Sequence, residues 1–308
     1  MKQVMFTLAV LLNAYMLSAC SINIGADRSA GHYERDAAGY GANDGVIERS
    51  LSVRPFTALE CRLPASVTYV QTNDQAPKVV LKGAPAMVER CVVDVRDGKL
   101  QLYLVQKAKQ SMKRFSQSRN QLNITVYGGR LTALAVQSAC SFYATQLETS
   151  QLALSNAGAS SIRVGRFAGQ QLTMSCSGAS STKLAGNVAK LMLNVTGASS
   201  FVANEFTTQD LKAKVSGAST AKCALQGSAG VDVSGASTLT LSGTADLFTI
   251  KCSGASSVKA ADLKAQNVVV DVAGASGVKC YAARSIKGTV GCGSLTYGGR
   301  PTSYNVER

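Results

Sequence analysis

The stretch "KVSGASTAKC", residues 214–223, contains a Gly-Ala-Ser triplet that recurs along the second half of the 308-residue chain. Seven glycines open such a triplet, namely Gly158, Gly178, Gly197, Gly217, Gly235, Gly254 and Gly274. Their spacings are 20, 19, 20, 18, 19 and 20 residues, and degenerate copies flank them at 138–141 ("SACS") and 291–294 ("GCGS"). A period this regular indicates an architecture in which each copy is one structural unit.

The residues around each glycine alternate between apolar and polar. Two residues before the glycine, six of the seven copies have Val or Cys, whereas three residues before it every copy has a polar residue. The alternation resumes after the triplet. Because side chains alternate between the two faces of a strand, this pattern predicts a strand on each side of a small-residue corner, followed by a looser polar return.

A unit of about 19 residues cannot bury its own apolar face, but stacked units can. We therefore predict an all-β fold, a right-handed parallel β-helix (β-solenoid) with turns of about 19 residues. A propeller is the alternative, although its blades need about 40 residues each. At the corner, glycine permits an unusual dihedral or a close approach, and we expect the serine hydroxyls to bond along the stack or to corner backbone groups.

The part before the repeats supplies a resemblance to a known family. It contains "IERSLSVRPFTALECRLPASVTYVQ", "VVLKGAP", "VVDVRDGKLQLYLVQ" and "QLNITVYGGRLTALAV", in that order, before the repeated corners. This succession resembles the auto-transporter adhesin family with a "head GIN domain", over roughly residues 47–300. The resemblance implies a β-helix in a bacterial lipoprotein or exported protein, and it supplies no catalytic residue.

The N-terminus carries a predicted targeting signal. Lys2 and the apolar run "VMFTLAVLLNAYMLSA" predict a signal peptide over residues 1–19. "LSAC" at 17–20 resembles the bacterial lipobox, which implies cleavage before Cys20 and attachment of acyl chains, palmitate included, to this residue. An ordinary signal peptide with a chance cysteine is the alternative. By resemblance to enterobacterial sorting, the absence of Asp at position 21 points to the outer membrane and leaves the exposed side open.

These features divide the chain into four parts. Residues 20–46 are rich in Gly, Ala and Asp and are predicted to be a flexible tether, which contains the sole histidine, His32. Residues 47–300 form the predicted solenoid, with irregular turns over 47–130 and regular repeats over 131–300. We expect residues 301–308 to be a C-terminal tail.

Eight cysteines follow Cys20. Four of them occupy apolar columns of the repeat and are expected to be small buried hydrophobic residues: Cys176, Cys252, Cys223 and Cys280. Disulfides between Cys61 and Cys91 and between Cys280 and Cys292 are compatible with the sequence, which does not determine whether they form. Because the chain has no CxxC motif and no histidine near a cysteine, we expect no metal site.

The net charge of +14 concentrates in two places. One is a predicted projecting loop at 107–119, the candidate polyanion-binding site, with Lys107, Lys109, Lys113, Arg114 and Arg119. The other is an outward column five residues after the corner glycines, with Arg163, Lys183, Lys222, Lys259 and Lys279. Acidic glycans or lipopolysaccharide are the expected partners, rather than nucleic acid. A solvated basic surface that resists aggregation is the other interpretation of this charge, and the sequence favours it over binding.

Catalytic chemistry needs a base near a positioned acid or nucleophile, and the sequence offers neither that arrangement nor a cofactor motif. We therefore predict a membrane-anchored protein with a non-catalytic binding, adhesive or structural role. A polysaccharide-active enzyme on the same scaffold, and a periplasmic accessory protein that docks a partner, remain as alternatives.

Overall fold

The computed structural model describes residues 45–73, 75–105 and 122–307. This part of the chain contains nineteen strands and one helical turn, which confirms the all-β prediction. In chain order these elements are β1 (Ile47–Ser52), β2 (Ala58–Arg62), β3 (Ser66–Gln71), β4 (Lys78–Gly83), α1 (Pro85–Val88), β5 (Cys91–Arg96), β6 (Lys99–Leu104), β7 (Asn123–Gly128), β8 (Ala133–Gln137), β9 (Ser141–Glu148), β10 (Gln151–Asn156), β11 (Ser161–Cys176), β12 (Ser181–Val195), β13 (Ser200–Val215), β14 (Thr220–Val233), β15 (Thr238–Cys252), β16 (Ser257–Val272), β17 (Gly277–Val290), β18 (Ser294–Gly298) and β19 (Ser303–Glu307).

The repeats stack as parallel coils in the register that the sequence columns predict. Cys176 pairs with Val195, Val195 with Val215, and Val215 with Val233, so residues two before each corner glycine lie above one another. About nine turns with a spacing of about 20 residues result, which confirms the β-solenoid. The right-handed winding stays a prediction.

The predicted polar return differs from the structure. The chain stays in strand conformation through the whole return, so that β11–β17 are each 14–16 residues long. The register slips part-way along these strands, for example between Val164 and Phe167, and a slip of this kind bends a strand. We call the parallel strand segments that follow the corners the post-corner sheet, and those that precede the corners the pre-corner sheet.

The N-terminal turns stack in a different order from their order in the chain. The turn made by β2 and β3 lies between two later turns, because β2 pairs with both β6 and β8 and β3 pairs with both β7 and β9. The β6–β7 turn is therefore added on one side of the first turn, and the β8–β9 turn on the other. Antiparallel strands cover the outer edge of the β6–β7 turn, since β5 pairs with β6 and β4 pairs with β7 and β1.

The C-terminal end corrects one boundary. Residues 301–308 were expected to be a tail, but Ser303–Glu307 forms β19 and pairs in parallel with β17. The pairing registers Ile286 with Tyr304 and Gly288 with Val306, so the repeat pattern continues beyond residue 300.

The corners combine tight backbone contacts with inward-facing serines. All seven corner glycines have positive φ, between +66° and +83°. The seven serines that end the triplets are 1–2% exposed and bond along the stack or to backbone carbonyls, as expected. Ser180 Oγ donates to Ser199 Oγ at 3.3 Å, for example, and Ser219 Oγ donates to the Ser216 carbonyl at 2.8 Å. The hydroxyl groups of the corner serines are therefore hydrogen-bonded within the fold.

Candidate binding surface

The outer face of the post-corner sheet carries the predicted basic column. Strand pairing places its members in one row across seven consecutive strands, β11–β17: Arg163, Lys183, Val202, Lys222, Thr240, Lys259 and Lys279. All five cations are exposed. We call this row the cation column. Arg163 pairs directly with Lys183, and Lys259 with Lys279, so like charges face each other at the strand spacing of about 4.8 Å.

No carboxylate balances this charge on the parallel strands of the post-corner sheet. These strands have two outward columns, three and five residues after the corner glycine. Neither column contains an Asp or Glu on β3, β7, β9 or β11–β18. Within the described residues, none of the five cations forms an ion pair. The acidic side chains of the repeats lie elsewhere, on the pre-corner sheet or beyond the bend of the long strands, as Glu205 and Asp262 do.

A second row runs beside the cation column, two residues earlier in each strand. It consists of hydroxyl side chains on seven consecutive strands: Ser141, Ser161, Ser181, Ser200, Thr220, Thr238 and Ser257. We call it the hydroxyl column. The predictions from sequence did not include this column, although a hydroxyl residue stands three positions after the glycine in six of the seven copies.

On the pre-corner sheet, by contrast, the charges of one outward row alternate in sign. This row, three residues before the glycine, runs Lys214, Asp232, Lys251, Asp271 on four consecutive strands. Alternating signs on adjacent strands attract each other, so this surface needs no external counter-ion. The contrast between the two sheets makes the post-corner sheet the candidate binding surface.

The predicted sites in two other regions lie outside the described residues. These are the lipid-attachment residue Cys20 and the basic segment 107–119, with Lys107, Lys109, Lys113, Arg114 and Arg119. The described flanks of the basic segment are Val105, just after β6, and Leu122, just before β7.

Comparison with known proteins identifies the family. The model described as "Putative auto-transporter adhesin, head GIN domain" matches residues 55–238 and 226–301. The chain belongs to this family. The head GIN domain assignment indicates a binding or adhesive role, and a place in the cell envelope or at the cell surface. No curated protein matches the chain.

Several solved structures are similar to this head GIN domain. They include a "putative adhesin" from Bacteroides fragilis, with 18% identity, TM-score 0.44, and coverage of 87% of this chain and 95% of that chain. A "putative adhesin" from Parabacteroides merdae has 15% identity, TM-score 0.48, and coverage of 86% and 96%. A "putative lipid binding protein" from Parabacteroides distasonis has 16% identity, TM-score 0.44, and coverage of 86% and 94%.

All eight cysteines of the described head GIN domain are free thiols. The expected burial of Cys176, Cys252, Cys223 and Cys280 is confirmed, since each is at most 3% exposed. Neither pair left open by the sequence is joined. Burial raises the pKa of Cys223 to about 12 and that of Cys280 to about 11, whereas Cys292 is exposed. A hydrogen bond with Cys140, together with burial, raises the pKa of Cys61 well above its usual range.

Two side chains that line one shallow cleft of the head GIN domain are used in internal hydrogen bonds. A shallow depression of about 320 Å³ is lined by Tyr69, Gln71, Thr145 and Glu148, among others. Its Gln71 side chain bonds to both the backbone N–H and the carbonyl of Glu148, each at 2.8 Å, and Tyr69 donates to the Gly129 carbonyl at 2.6 Å. Within the described residues there is no group of three or more His, Cys, Asp or Glu side chains that could hold a metal ion. In the same residues, no helix has the length and hydrophobicity needed to cross a membrane.

Proposed function

We propose that this head GIN domain is a lipid-anchored envelope protein that binds an acidic glycan without turning it over. The ligand class is an anionic saccharide, either an acidic polysaccharide or the phosphorylated saccharide of lipopolysaccharide. The observation that carries the proposal is the cation column, which has exposed like charges on adjacent strands and no carboxylate beside it. The adhesive role of the family supports a binding function for such a surface.

The position of the cation column argues against a purely protective role. Lysines protect a sheet from edge-to-edge association when they lie on edge strands. The post-corner segments that carry the column pair with a neighbour on both sides, from β11 (with β9 and β12) to β17 (with β16 and β18). Like charges directly opposite each other on such central strands are destabilising. A bound polyanion would relieve this repulsion, so polyanion binding would account for the cations on these central strands.

The charge of the whole chain supports the same proposal. With a net charge of +14, the protein attracts polyanions at long range, and the basic segment 107–119 adds five cations without an acidic residue. We propose that this segment cooperates with the cation column in capturing the glycan.

The anchor in this proposal is Cys20. A diacylglycerol thioether and an amide-linked acyl chain at this residue would hold the domain on a membrane, because each buried methylene contributes about 0.8 kcal/mol. The lipobox-like "LSAC" at 17–20 supports this step, and we propose the outer membrane as the site. The substitution Cys20→Ser is expected to move the protein from the membrane fraction to the soluble fraction. Equal membrane retention of the variant would contradict lipid anchoring.

The binding proposal is tested by retention on heparin and by pull-down with lipopolysaccharide, each at low and high salt. The test variant replaces Lys222, Lys259 and Lys279 of the cation column with Gln. The matched control replaces Lys212, Lys214 and Lys251 of the pre-corner sheet with Gln and changes the net charge by the same amount. We expect the test variant to lose retention and the control to keep it, with weaker binding at high salt because ions screen exposed charges.

Three results would change the proposal. Equal losses of retention in the test and control variants would show that the net charge attracts the glycan and that the cation column is not a specific site. Loss only on neutralising 107–119 would move the site from the sheet to the basic segment. Release of shorter products from an acidic polysaccharide would replace a binding role with an enzymatic one.

A further inference from the structure

We infer that the cation column and the hydroxyl column form one site for a linear polyuronate, whose chain runs along the stacking direction and across the strands. The inference rests on the glycan binding proposed above and adds the shape of the ligand and its orientation on the sheet. It follows from the spacing of the cations, from the unused hydroxyls beside them, and from the chemistry of the other side chains in the two columns.

The spacing of the cations requires an elongated ligand. Counted in strand steps from Arg163, the charges stand at steps 0, 1, 3, 5 and 6, with Val202 and Thr240 at steps 2 and 4. At about 4.8 Å per step the column is about 29 Å long. A single phosphate group can contact at most two neighbouring cations of this row. A chain with one carboxylate per sugar can contact all five at once.

The hydroxyl column supplies matching polar groups along the same line. Five successive members have no side-chain hydrogen bond to the described protein, namely Ser181, Ser200, Thr220, Thr238 and Ser257, whereas Ser161 Oγ donates to Ser141 Oγ at 3.2 Å. The two columns are two residues apart in each strand, which corresponds to about 7 Å. Because a uronate carries hydroxyls and a carboxylate on the same ring, one sugar chain can engage both columns.

The remaining side chains in the two columns fit a saccharide better than a single-stranded nucleic acid. Proteins that bind single strands stack bases on aromatic side chains. Across β9 and the post-corner segments of β11–β18, the two columns contain one aromatic residue, Tyr143, at the end next to Arg163. Between Arg163 and Lys279 the two columns consist of small hydroxyl side chains and cations, with Val202 as their one apolar member.

The length of the column gives the decisive measurement. Oligomannuronates are linear, carry one carboxylate per sugar and can be separated by size, so we propose them as the probe for titration calorimetry on the full chain carrying Cys20→Ser. Affinity is expected to rise by at least about tenfold from the disaccharide to chains that span the column, and then to level off, because each further contact is made within the complex. An affinity that is independent of chain length would overturn the inference.

Substitutions at the ends of the column test the orientation. Arg163→Gln together with Lys279→Gln is expected to weaken binding of long chains and to leave the short ones unchanged, since a short chain can still occupy the middle. The matched control is Lys214→Gln together with Lys251→Gln on the pre-corner sheet, which should change neither. Equal weakening of short and long chains would show that the glycan crosses the column instead of following it.

The hydroxyl column is tested separately from charge. Replacing Ser181, Ser200 and Ser257 with Ala is expected to weaken oligomannuronate binding and to leave binding of linear polyphosphate unchanged. The control replaces Ser155 and Ser175 of the pre-corner sheet with Ala. Parallel losses for both probes, or none for either, would remove the hydroxyl column from the site. If the parent protein is not retained on heparin either, the proposed glycan binding itself is wrong. Retention on heparin without dependence on the length of the oligomannuronate contradicts only the polyuronate site.

Discussion

Asn156 donates its side-chain amide to Thr182 Oγ1 at 2.8 Å inside the core, where both residues are fully buried. Each stands in a column that is otherwise apolar, since Asn156 replaces Val or Cys and Thr182 replaces Ile, Phe, Ala, Leu or Val. The same amide also donates to the Ser181 carbonyl at 2.8 Å, and Ser160 donates to Asn156 Oδ1. Two exceptions to the repeat on adjacent turns therefore compensate each other.

This compensation predicts non-additive stability changes. Asn156→Val alone is expected to lower the free energy of unfolding by about 1–3 kcal/mol, because it leaves the buried Thr182 hydroxyl poorly satisfied. Adding Thr182→Val should recover part of the loss, since both columns then have their usual apolar residues. Urea unfolding followed by far-UV circular dichroism measures the single and double variants. Strictly additive losses would show that the two side chains do not depend on each other.

The corner glycines predict a second change in stability. Gly217 has φ +83°, and a Cβ there would lie 2.5 Å from the Gly197 carbonyl oxygen of the preceding turn. Gly217→Ala is therefore expected to lower the free energy of unfolding by at least about 1–3 kcal/mol, through backbone strain and the contact with the neighbouring corner. Thermal unfolding is the measurement, and a melting temperature equal to that of the parent would contradict this role.

A control for this effect lies in the degenerate first corner. Ser138 occupies the glycine position there with φ +69°. Because left-handed backbone costs a non-glycine residue about 1–2 kcal/mol, Ser138→Gly should leave stability unchanged or raise it. Opposite effects of the two substitutions would separate the dihedral requirement from a general sensitivity of the corners.

The buried thiols predict a loss of stability at alkaline pH. Burial raises the pKa of Cys223 to about 12 from a usual value of 9.0. Between these values the unfolded chain releases a proton that the folded chain retains, so rising pH favours unfolding; below the lower value the effect is absent. Cys223→Ala should reduce the loss of unfolding free energy between about pH 8 and about pH 10.5 under reducing conditions. Ala203 and Ala260 occupy the same column, so the substitution suits the fold. Identical pH dependence in both proteins would contradict the burial effect.

The sequence predicted the regular part of the fold because its period and its alternation record directly which residues lie above one another. The columns of Val195 and Lys183, for example, are the observed pairing registers. The return between the strands was harder to predict, because glycines such as Gly243, with φ +107°, indicate a turn, although the strand continues past a register shift between Thr240 and Ser242. Propensity alone does not distinguish these two uses of glycine.

The N-terminal turns could not be ordered from sequence. Strands β2, β6 and β8 each have an alternating pattern that fits any neighbour, and no local signal states that β2 lies between the other two. On the candidate surface, charge revealed the cation column, whereas the hydroxyl column was overlooked because serine near a corner is ordinarily assigned to the turn.

The single exposed thiol of the described domain gives the last prediction. Seven of its eight cysteines are buried, and Cys292, in the corner between β17 and β18, is the exposed one. Thiol reagents attack the accessible thiolate, so buried cysteines with raised pKa values are protected in the folded state. Using the chain with Cys20→Ser, we expect a maleimide to label one thiol rapidly under native conditions and the others only after unfolding. Adding Cys292→Ser should abolish the rapid label. Rapid modification of a second site would show that part of the core opens, and mass spectrometry of the labelled peptides would identify which cysteine is exposed.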